Sequence, residues 1–458
     1  MKYIIKAVSA VLAVCMLLSF GAAFASGEAS EEDAYAYTEK LFDTSYVHTI
    51  DITIADEDRQ AMQESAMEKP KFTVTVTIDG ESFDDVVIST KGNASLIYTY
   101  GFSQYNARFS YKLRFNKADE SRTYYGLNEF ALNSNALDPS NMRDYTAYNL
   151  FSQIGVPTPC VSYVQLYING ELQGLYLAVE SEKSSFLERT LGDGEFYKPS
   201  PVVMDALYEG LEELVTENGI SDEHVSVAVP EIDISGSILG ADLKYTDDDP
   251  ESYSDIFNNA ETEYTEEDQQ RLIAALKALS EGDVESAVDT DEVIRYFAAL
   301  NFITSWDSYN WDVFHNYGLY EEDGILSMVP WDYDLAFTGM AAATMEGLDD
   351  PVADVIAMDI DNPVFLGADA EDRPMWNWIP ADETYLNAYH EVLSEELLPY
   401  VESGAFEQEL ERVYTMIHPY VEQDPTYPYT MEEFETAYAE LVDFCLQRTA
   451  SVRGQLSE

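Results

Sequence analysis

The chain has 458 residues, enough for two or three domains' worth of hydrophobic core. It holds 86 acidic and 24 basic residues, a net charge of −62, so its surface repels nucleic acids and anionic membranes and attracts cations and basic partners. A solvated acidic surface that only keeps the protein soluble would have the same composition. Three cysteines exclude a disulfide-built scaffold and a cysteine-rich zinc site, and the 46% hydrophobic fraction predicts a folded chain.

The first 25 residues have the pattern of a secretory signal peptide. Lys2 and Lys6 form a basic start, an apolar run follows, and Ala23-Phe24-Ala25 offers a small-x-small cleavage site. We therefore expect a secreted or cell-surface protein, with the signal either cleaved or retained as an anchor. No later segment is long and apolar enough to span a bilayer. Residues 26–47, which are acidic and rich in small side chains, are predicted to be a flexible leader.

Strands are predicted to dominate residues 48–180. Phe72–Ile78 alternates with a period of two and ends at Asp79-Gly80, a hairpin signal. The clearest hairpin joins 161–168 to 174–179. Further strands are predicted at 86–89, 109–115 and 130–132. One helix interrupts them, with Asp138 as its N-cap, Pro139 in its first turn and Gly155 just after its end.

Helices are predicted to dominate residues 181–458. Residues 266–279 and 290–305 show apolar side chains at three-to-four spacing, and helices are again predicted from Tyr385 to the end. Residues 200–265 are acidic and poorly periodic, so we predict an irregular insertion there. A hairpin is predicted within 319–329. The whole pattern predicts an α+β protein.

Several catalytic signatures are missing from the sequence. It has no Gly-x-x-x-x-Gly-Lys-Ser/Thr loop, no His-Glu-x-x-His and no Gly-x-Ser-x-Gly, which disfavours P-loop nucleotidases, zinc hydrolases and serine hydrolases. Chemistry based on oxygen ligands remains.

Two aromatic segments deliver such oxygens. Trp306-Asp307-Ser308-Tyr309 leads to His315-Asn316-Tyr317, and Pro330-Trp331-Asp332-Tyr333-Asp334 follows. Carboxylates and an amide suit Mg²⁺, which in turn suggests phosphate chemistry. Asp332 and Asp334, two apart on a predicted strand, would point the same way. On spacing alone, these aspartates could instead cap turns beside a core.

A cation for phosphate binding has two candidates, Lys91 and Lys112, both in the strand-rich part. A lysine that alternates with apolar strand neighbours usually faces solvent, so their position alone does not assign them this role.

These residues together resemble the CotH (spore coat protein H) kinase family from about residue 48 to residue 458. The resemblance implies an atypical protein-kinase-like fold of two lobes, a β-rich N-lobe at about 48–180 and a helical C-lobe at about 181–458. It is carried by the following ordered segments: Lys91-Gly92-Asn93-Ala94-Ser95, the Arg143 helix, Gly155-Val156-Pro157-Thr158-Pro159, Leu166-Tyr167-Ile168-Asn169-Gly170-Glu171, Gly174-Leu175-Tyr176, Phe196-Tyr197-Lys198, Asp307-Ser308-Tyr309, His315-Asn316-Tyr317 and Trp331-Asp332-Tyr333-Asp334.

The resemblance also implies an activity: ATP-dependent phosphorylation of Ser or Thr in basic, Lys/Arg-rich proteins, assisted by Mg²⁺ or Mn²⁺. Asp307 would orient the substrate hydroxyl, and the Arg143 helix would replace the regulatory helix of ordinary kinases. The implied cofactor residues are Asp332, Asn316 and Asp334 for the metal, Lys112 or Lys91 for the phosphates, and the hairpin ending at Glu180 for the adenine.

Two other functions stay open. The chain could be a catalytically silent kinase-fold scaffold of the cell surface or of an extracellular assembly. It could also be a glycoside hydrolase built on paired carboxylates, although its clustered acids are two residues apart rather than on opposing strands. We expect a monomer with no nucleic-acid partner.

Overall fold

The computed structural model describes most of the chain from residue 35 onward. The predicted signal peptide, the start of the leader, Trp306 and much of the predicted insertion lie outside the described residues. The described ranges are 35–101, 107–117, 119, 121–202, 204, 210, 238–305, 307–310, 314–339, 351–363 and 372–457.

Strands in the first part of the described chain close into a barrel, in the order β1-β2-β3-β4-β5-β7-β6. Neighbouring strands are antiparallel except for β1 and β6, which are parallel. The strands are β1 His48–Thr53, β2 Phe72–Ile78, β3 Glu81–Lys91, β4 Ser110–Arg114, β5 Glu129–Asn133, β6 Val161–Ile168 and β7 Glu171–Glu180.

Alternation of side chains explains how the barrel packs. Val74, Val76 and Ile78 of β2 are buried in the barrel core, as their period of two predicts. On β7 the alternate residues Leu175, Leu177 and Val179 point out of the barrel, yet they too are buried because they belong to a second, larger core. The β7 side of the barrel is therefore covered by the rest of the protein.

The flexible leader predicted for residues 26–47 is wrong for its described part, residues 35–47. Tyr37, Leu41 and Phe42 are buried in the barrel core. The Tyr37 hydroxyl donates to the Glu180 carboxylate, and the Ser162 hydroxyl donates to the Leu41 carbonyl at 2.5 Å. Three apolar anchors are enough to fix a segment whose overall composition is polar.

Helices pack around the barrel: α1 Asp56–Glu64, α2 Ala94–Gly101, α3 Arg143–Gln153 and α4 Ser184–Thr190. Helix α3 ends before Gly155, as predicted, but it begins at Arg143 rather than after Asp138. The Asp138 carboxylate accepts the backbone N–H groups of Ser140 and Arg143, each at 2.9 Å. It thus stabilises a turn that precedes the helix.

The second part of the chain is mainly helical and confirms the predicted helices at 266–279 and 290–305, as well as the α+β class. A small sheet of order β10-β9-β8 contains the predicted hairpin. The elements are β8 Glu195–Tyr197, α5 Ser254–Phe257, α6 Glu266–Ser280, α7 Thr290–Ile303, β9 Tyr317–Glu322, β10 Ile325–Pro330, α8 Pro351–Ile356, α9 Pro374–Ala381, α10 Glu383–Glu391, a π-helix Val392–Leu397, α11 Leu398–Glu402, α12 Ala405–Glu422 and α13 Met431–Gln455.

Helix α3 connects the barrel to the helical part. Its Tyr145 packs on Tyr163 of β6, with ring centroids 5.6 Å apart, and its Phe151 packs on Tyr296 of α7 at 5.7 Å. Ten of the 14 residues of helix α7 are buried, and its buried apolar side chains belong to the larger core. In the described part of the chain, no helix combines the length and apolarity that a bilayer crossing requires.

A buried ion pair ties the α12–α13 connection to the barrel. The Arg108 guanidinium lies 2.7 Å from the Asp424 carboxylate, and both side chains are fully buried. Arg108 also donates to the Ser134 and Leu175 carbonyls, and Asp424 accepts the Leu175 N–H at 2.9 Å. Gly174, at φ +134°, leaves room for this contact, because a Cβ there would lie 2.2 Å from the Asp424 carboxylate.

We expect Asp424→Asn to lower the free energy of unfolding by about 3–5 kcal/mol, because it leaves the Arg108 charge buried without a counter-charge. Glu171→Gln is the matched control, since it removes the exposed Arg59–Glu171 pair and should cost about 1 kcal/mol or less. Urea unfolding measures both. Equal, small losses in the two variants would contradict a structural role for the buried pair.

Candidate active site

A cavity of about 550 Å³ lies between the barrel and the loops that follow α7 and β10. Its two sides differ in charge. The barrel side presents the basic residues Lys69, Lys71, Lys91, Lys112 and Arg114, whereas the helical side presents Asp307, Asp332 and Asp334. In a chain with only 24 basic residues, five at one cavity mark a site for an anion.

The register of β3 and β4 explains how lysines reach the cavity. Ile88 pairs with Leu113 and both face the barrel core, so Lys112 and Arg114 in β4, together with Lys91 in β3, point outward. That outward face lines the cavity instead of open solvent. Lys112 is 25% exposed and Arg114 15% exposed.

Side chains of the next strand, β5, hold these cations. The Glu129 carboxylate lies 3.3 Å from the Lys112 ammonium and 3.4 Å from the Arg114 guanidinium. The Lys91 ammonium donates to the Asn133 side-chain oxygen at 2.6 Å. Burial lowers the pKa of Lys91, while the carboxylates of Asp332 and Asp144 oppose that shift. The cations are thus fixed in place before any ligand binds.

The helical side brings together four of the predicted site residues. Asp307 follows α7 and Asn316 precedes β9, and the Asn316 amide donates to the Asp307 carboxylate at 2.9 Å. Asn316 and Asp332 have left-handed φ values of +51° and +61°. Asn and Asp tolerate this conformation better than most residues. Asp307, Asn316, Asp332 and Asp334 all line the same cavity.

The prediction that Asp332 and Asp334 sit on one strand is wrong. Strand β10 ends at Pro330, and the left-handed conformation of Asp332 reverses the chain. The segment 332–334, which we call the acidic turn, is held by hydrogen bonds from α3 rather than by a strand neighbour.

Carboxylates at this cavity repel one another. Burial and then the charge of Asp332 raise the pKa of Asp144 to about 7. Burial also raises the pKa of Asp334 well above its usual range, with further contributions from Asp332, Asp144 and Asp307. Burial is also the main cause that raises the pKa of Asp307. A cluster pushed toward protonation suits a divalent cation, which would take the place of the protons.

The oxygen donors fit Mg²⁺ in particular. Among the described residues, no three or more His, Cys, Asp or Glu side chains form a group that could hold a metal ion alone. Mg²⁺ is usually bound by one or two carboxylates plus water and substrate phosphates, so a complete protein cage is not required.

Glu180, predicted to lie beside the adenine, does not line this cavity. Its buried carboxylate accepts hydrogen bonds from the Tyr37 hydroxyl, the Arg189 guanidinium and the Cys160 N–H. These bonds commit Glu180 to holding residues 35–47 and α4 against the barrel. Its assignment as a nucleotide-binding side chain therefore has no support in the structure.

Lys198 is a cation near the site to which the sequence assigned no role. Its ammonium lies 3.1 Å from the centre of the Trp331 ring, which lines the cavity, and 2.7 Å from the Glu182 carboxylate. Burial lowers the pKa of Lys198 to about 8. The segment Phe196-Tyr197-Lys198 is one of those that carry the family resemblance. That resemblance is the sequence signal from which a role for Lys198 could have been predicted.

Asp144 and Asn133 were also missed. Asp144 is 1% exposed and is the only acidic residue of helix α3, where it is followed by the buried residues Tyr145, Ala147 and Tyr148. A lone acid in such a setting is a usable signal, since buried carboxylates need partners. Asn133 carries no distinguishing sequence signal.

The raised pKa of Asp144 predicts a pH effect on stability in metal-free solution. A carboxyl whose folded pKa is raised stabilises the fold when protonated, and this contribution disappears as the pH rises from about 4 to about 7. We therefore expect the unfolding free energy of wild type to fall more steeply over this window than that of Asp144→Asn, by roughly 1–4 kcal/mol. Urea unfolding with chelator at several pH values tests this, and parallel curves would contradict it.

Comparison with known proteins identifies relatives. The family model described as "CotH kinase protein" matches residues 88–452. "Inner spore coat protein H" of Bacillus subtilis (strain 168) is 28% identical over 219 residues, which cover 47% of this chain and 51% of that protein. "Inner spore coat protein H-like protein" of the same organism is 48% identical over 52 residues, which cover 11% of this chain and 17% of that protein.

The chain thus spans about half of the first relative's length and less of the second's. The family match is broader and includes Lys91, Lys112 and Arg114 on the barrel side of the cavity and the acidic turn on the helical side. The chain belongs to the CotH kinase protein family.

Proposed function

We propose that this protein is an ATP-dependent kinase that transfers the γ-phosphoryl group to Ser or Thr of basic proteins, with Mg²⁺ or Mn²⁺. One observation carries the proposal: basic and acidic side chains face each other across one cavity of a strongly anionic chain. Phosphoryl transfer needs this pairing, with cations for the phosphates and carboxylates for the metal. The name of the family supports a kinase.

The barrel and the helical part would correspond to the two lobes of a protein-kinase-like fold. In this arrangement Lys91 and Lys112, on the barrel side, bind the phosphates of ATP. Asp332 and Asn316, with Asp334, are the residues that would hold the metal. When bound, the metal would neutralise charge on the phosphates.

Asp307 is the residue that would orient the substrate hydroxyl. The amide of Asn316 donates to its Oδ2 atom, which would hold the plane of the carboxylate while the other oxygen accepts the substrate hydroxyl. Asp307 is only partly exposed where it lines the cavity, so its hydrogen bonds form in a less polar environment than open water.

The proposed substrates and location follow from charge and relatives. A net charge of −62 would attract Lys/Arg-rich proteins by long-range steering, which salt should weaken. Because one relative is named as an inner spore coat protein, we propose a spore-coat or surface location. The predicted signal peptide remains a prediction.

A catalytically silent scaffold is the second candidate. It is favoured by the finding that the described carboxylates do not form a three-ligand metal group. A glycoside hydrolase is less favoured, because five cations beside the carboxylates suit an anionic ligand better than a neutral sugar.

Nucleotide binding should depend on the barrel-side cations. We expect Lys91→Met and Lys112→Met each to weaken binding of the ATP–Mg²⁺ complex about tenfold or more, since each removes a charge-assisted contact to phosphate. Lys277→Met is the control, because Lys277 is 41% exposed and pairs with Asp248 away from the cavity. Calorimetry measures the dissociation constants. Unchanged binding in both cavity variants would exclude this phosphate site.

Transfer should depend on the acidic side. With labelled ATP, Mg²⁺ and a basic Ser-rich peptide, we expect Asp307→Asn and Asp332→Asn to slow transfer at least about 100-fold. Asp307→Asn should keep nucleotide affinity, whereas Asp332→Asn should lose its metal dependence. Asp354→Asn, an exposed acid on α8, is the control. Nucleotide binding without transfer by wild type would favour the scaffold, and sugar release would favour the hydrolase.

A further inference from the structure

Helix α3 holds the acidic turn by three separate hydrogen bonds. The Arg143 guanidinium donates to the Asp334 carbonyl at 3.2 Å. The Tyr333 N–H donates to Oδ1 of Asp144 at 2.7 Å, and the Asp332 N–H donates to the Tyr148 hydroxyl oxygen at 3.2 Å. The backbone of the turn is thus set by one helix, residue by residue.

The second oxygen of Asp144 faces the other side of the cavity. Oδ2 accepts the Asn133 side-chain N–H at 3.1 Å, and the Asn133 oxygen in turn accepts the Lys91 ammonium at 2.6 Å. A continuous chain of hydrogen bonds therefore runs from Lys91 through Asn133 and Asp144 to the backbone of Tyr333. Both oxygens of this buried carboxylate are used, one toward each side.

The helix dipole alone does not explain why an aspartate is buried at position 144. A carboxylate in the first turn of a helix is stabilised by the helix dipole, and Asp144 occupies that position in α3. The hydrogen bonds of its oxygens go to β5 and to the acidic turn, however, rather than to N–H groups of α3. At 1% exposure its desolvation cost is offset by these specific partners.

We propose that Asp144 is a positioning residue that sets Lys91 and the acidic turn in register with each other. The inference rests on the proposed function, in which Lys91 faces the phosphates and Asp332 holds the metal. Asp144 itself is buried and is not among the residues that line the cavity, so it would act through Lys91 and the acidic turn. One carboxylate thereby fixes the separation of the phosphate-binding cation from the metal-binding oxygens.

The direction of each hydrogen bond makes the proposal testable. Asn133 must turn its oxygen to Lys91, which is only a donor, and its NH₂ group to Asp144, which is only an acceptor when ionised. In Asp144→Asn, the new amide can accept from Tyr333 only by turning its own NH₂ group toward Asn133. Asn133 can then accept from the new NH₂ group only by turning its oxygen away from Lys91. The hydrogen bond to Lys91 is therefore lost.

Exchange of the two residues restores the pattern. In the double variant Asn133→Asp/Asp144→Asn, the amide at 144 accepts from Tyr333 and donates to the carboxylate at 133, which also accepts from Lys91. The net charge is unchanged. Asn133→Asp alone places two carboxylates side by side and should disrupt the chain as well. Asn133→Ala removes both hydrogen bonds of Asn133, to Lys91 and to Asp144, but keeps the bond between Asp144 and Tyr333.

The experiment measures the dissociation constant of the Mg²⁺ complex of a non-hydrolysable ATP analogue, and the kcat and KM for ATP, in folded protein checked by circular dichroism. We expect Asp144→Asn, Asn133→Asp and Asn133→Ala each to weaken analogue binding about tenfold, with a matching rise in KM. The exchange variant should return to within about threefold of wild type. Rescue of binding by exchange is not expected of a residue that only stabilises the fold.

The outcomes separate the two proposals. If wild type binds the analogue and Asn133→Ala binds it equally well, the positioning role is overturned while the proposed function stands. If all three single variants are weak and the exchange variant is equally weak, the hydrogen-bond chain is likewise overturned. If wild type itself binds no analogue, the proposed function fails and this inference fails with it.

Discussion

The structure depends on the electrostatic pairing of opposite sides of one cavity. Burial is the main cause that raises the pKa values of Asp144, Asp307 and Asp334, and the negative charge of Asp332 raises all three further. Such a cluster is costly in a chain of net charge −62. Lysines from the barrel offset this cost, and side chains of α3 hold the backbone of the acidic turn in place. The contacts that stabilise the fold therefore also position the site. This cost is expected where stability is given up for binding.

The barrel supplies rigidity to that arrangement. Its outward-facing residues on β3, β4 and β5 lie on neighbouring, hydrogen-bonded strands, so the positions of Lys91, Lys112 and their partners are fixed by register. The buried Arg108–Asp424 pair and the packing of α3 against both β6 and α7 then fix the barrel relative to the helical part.

Much of this could be predicted from local patterns in the sequence. The alternation of apolar and polar residues predicted β2 and the hairpin of β6 and β7. Apolar residues at three-to-four spacing predicted α6 and α7. The convergence of Asp307, Asn316 and Asp332 on one cavity followed from the aromatic segments and the family resemblance. What failed depended on long-range contacts: Tyr37 and Leu41 enter a core built by distant strands, and Glu180 accepts a hydrogen bond from Tyr37, 143 residues earlier. The acidic turn, held by a helix nearly 190 residues earlier, had no local signal.

The measurement that tests the account most directly is a crystal structure with Mn²⁺ and a non-hydrolysable ATP analogue, in which anomalous scattering locates the metal. We expect one Mn²⁺ peak within about 2.0–2.3 Å of an Asp332 oxygen and bound also by phosphate oxygens, with Lys91 and Lys112 against the phosphates. A metal or nucleotide bound elsewhere, with this cavity left to water at saturating ligand, would contradict the account.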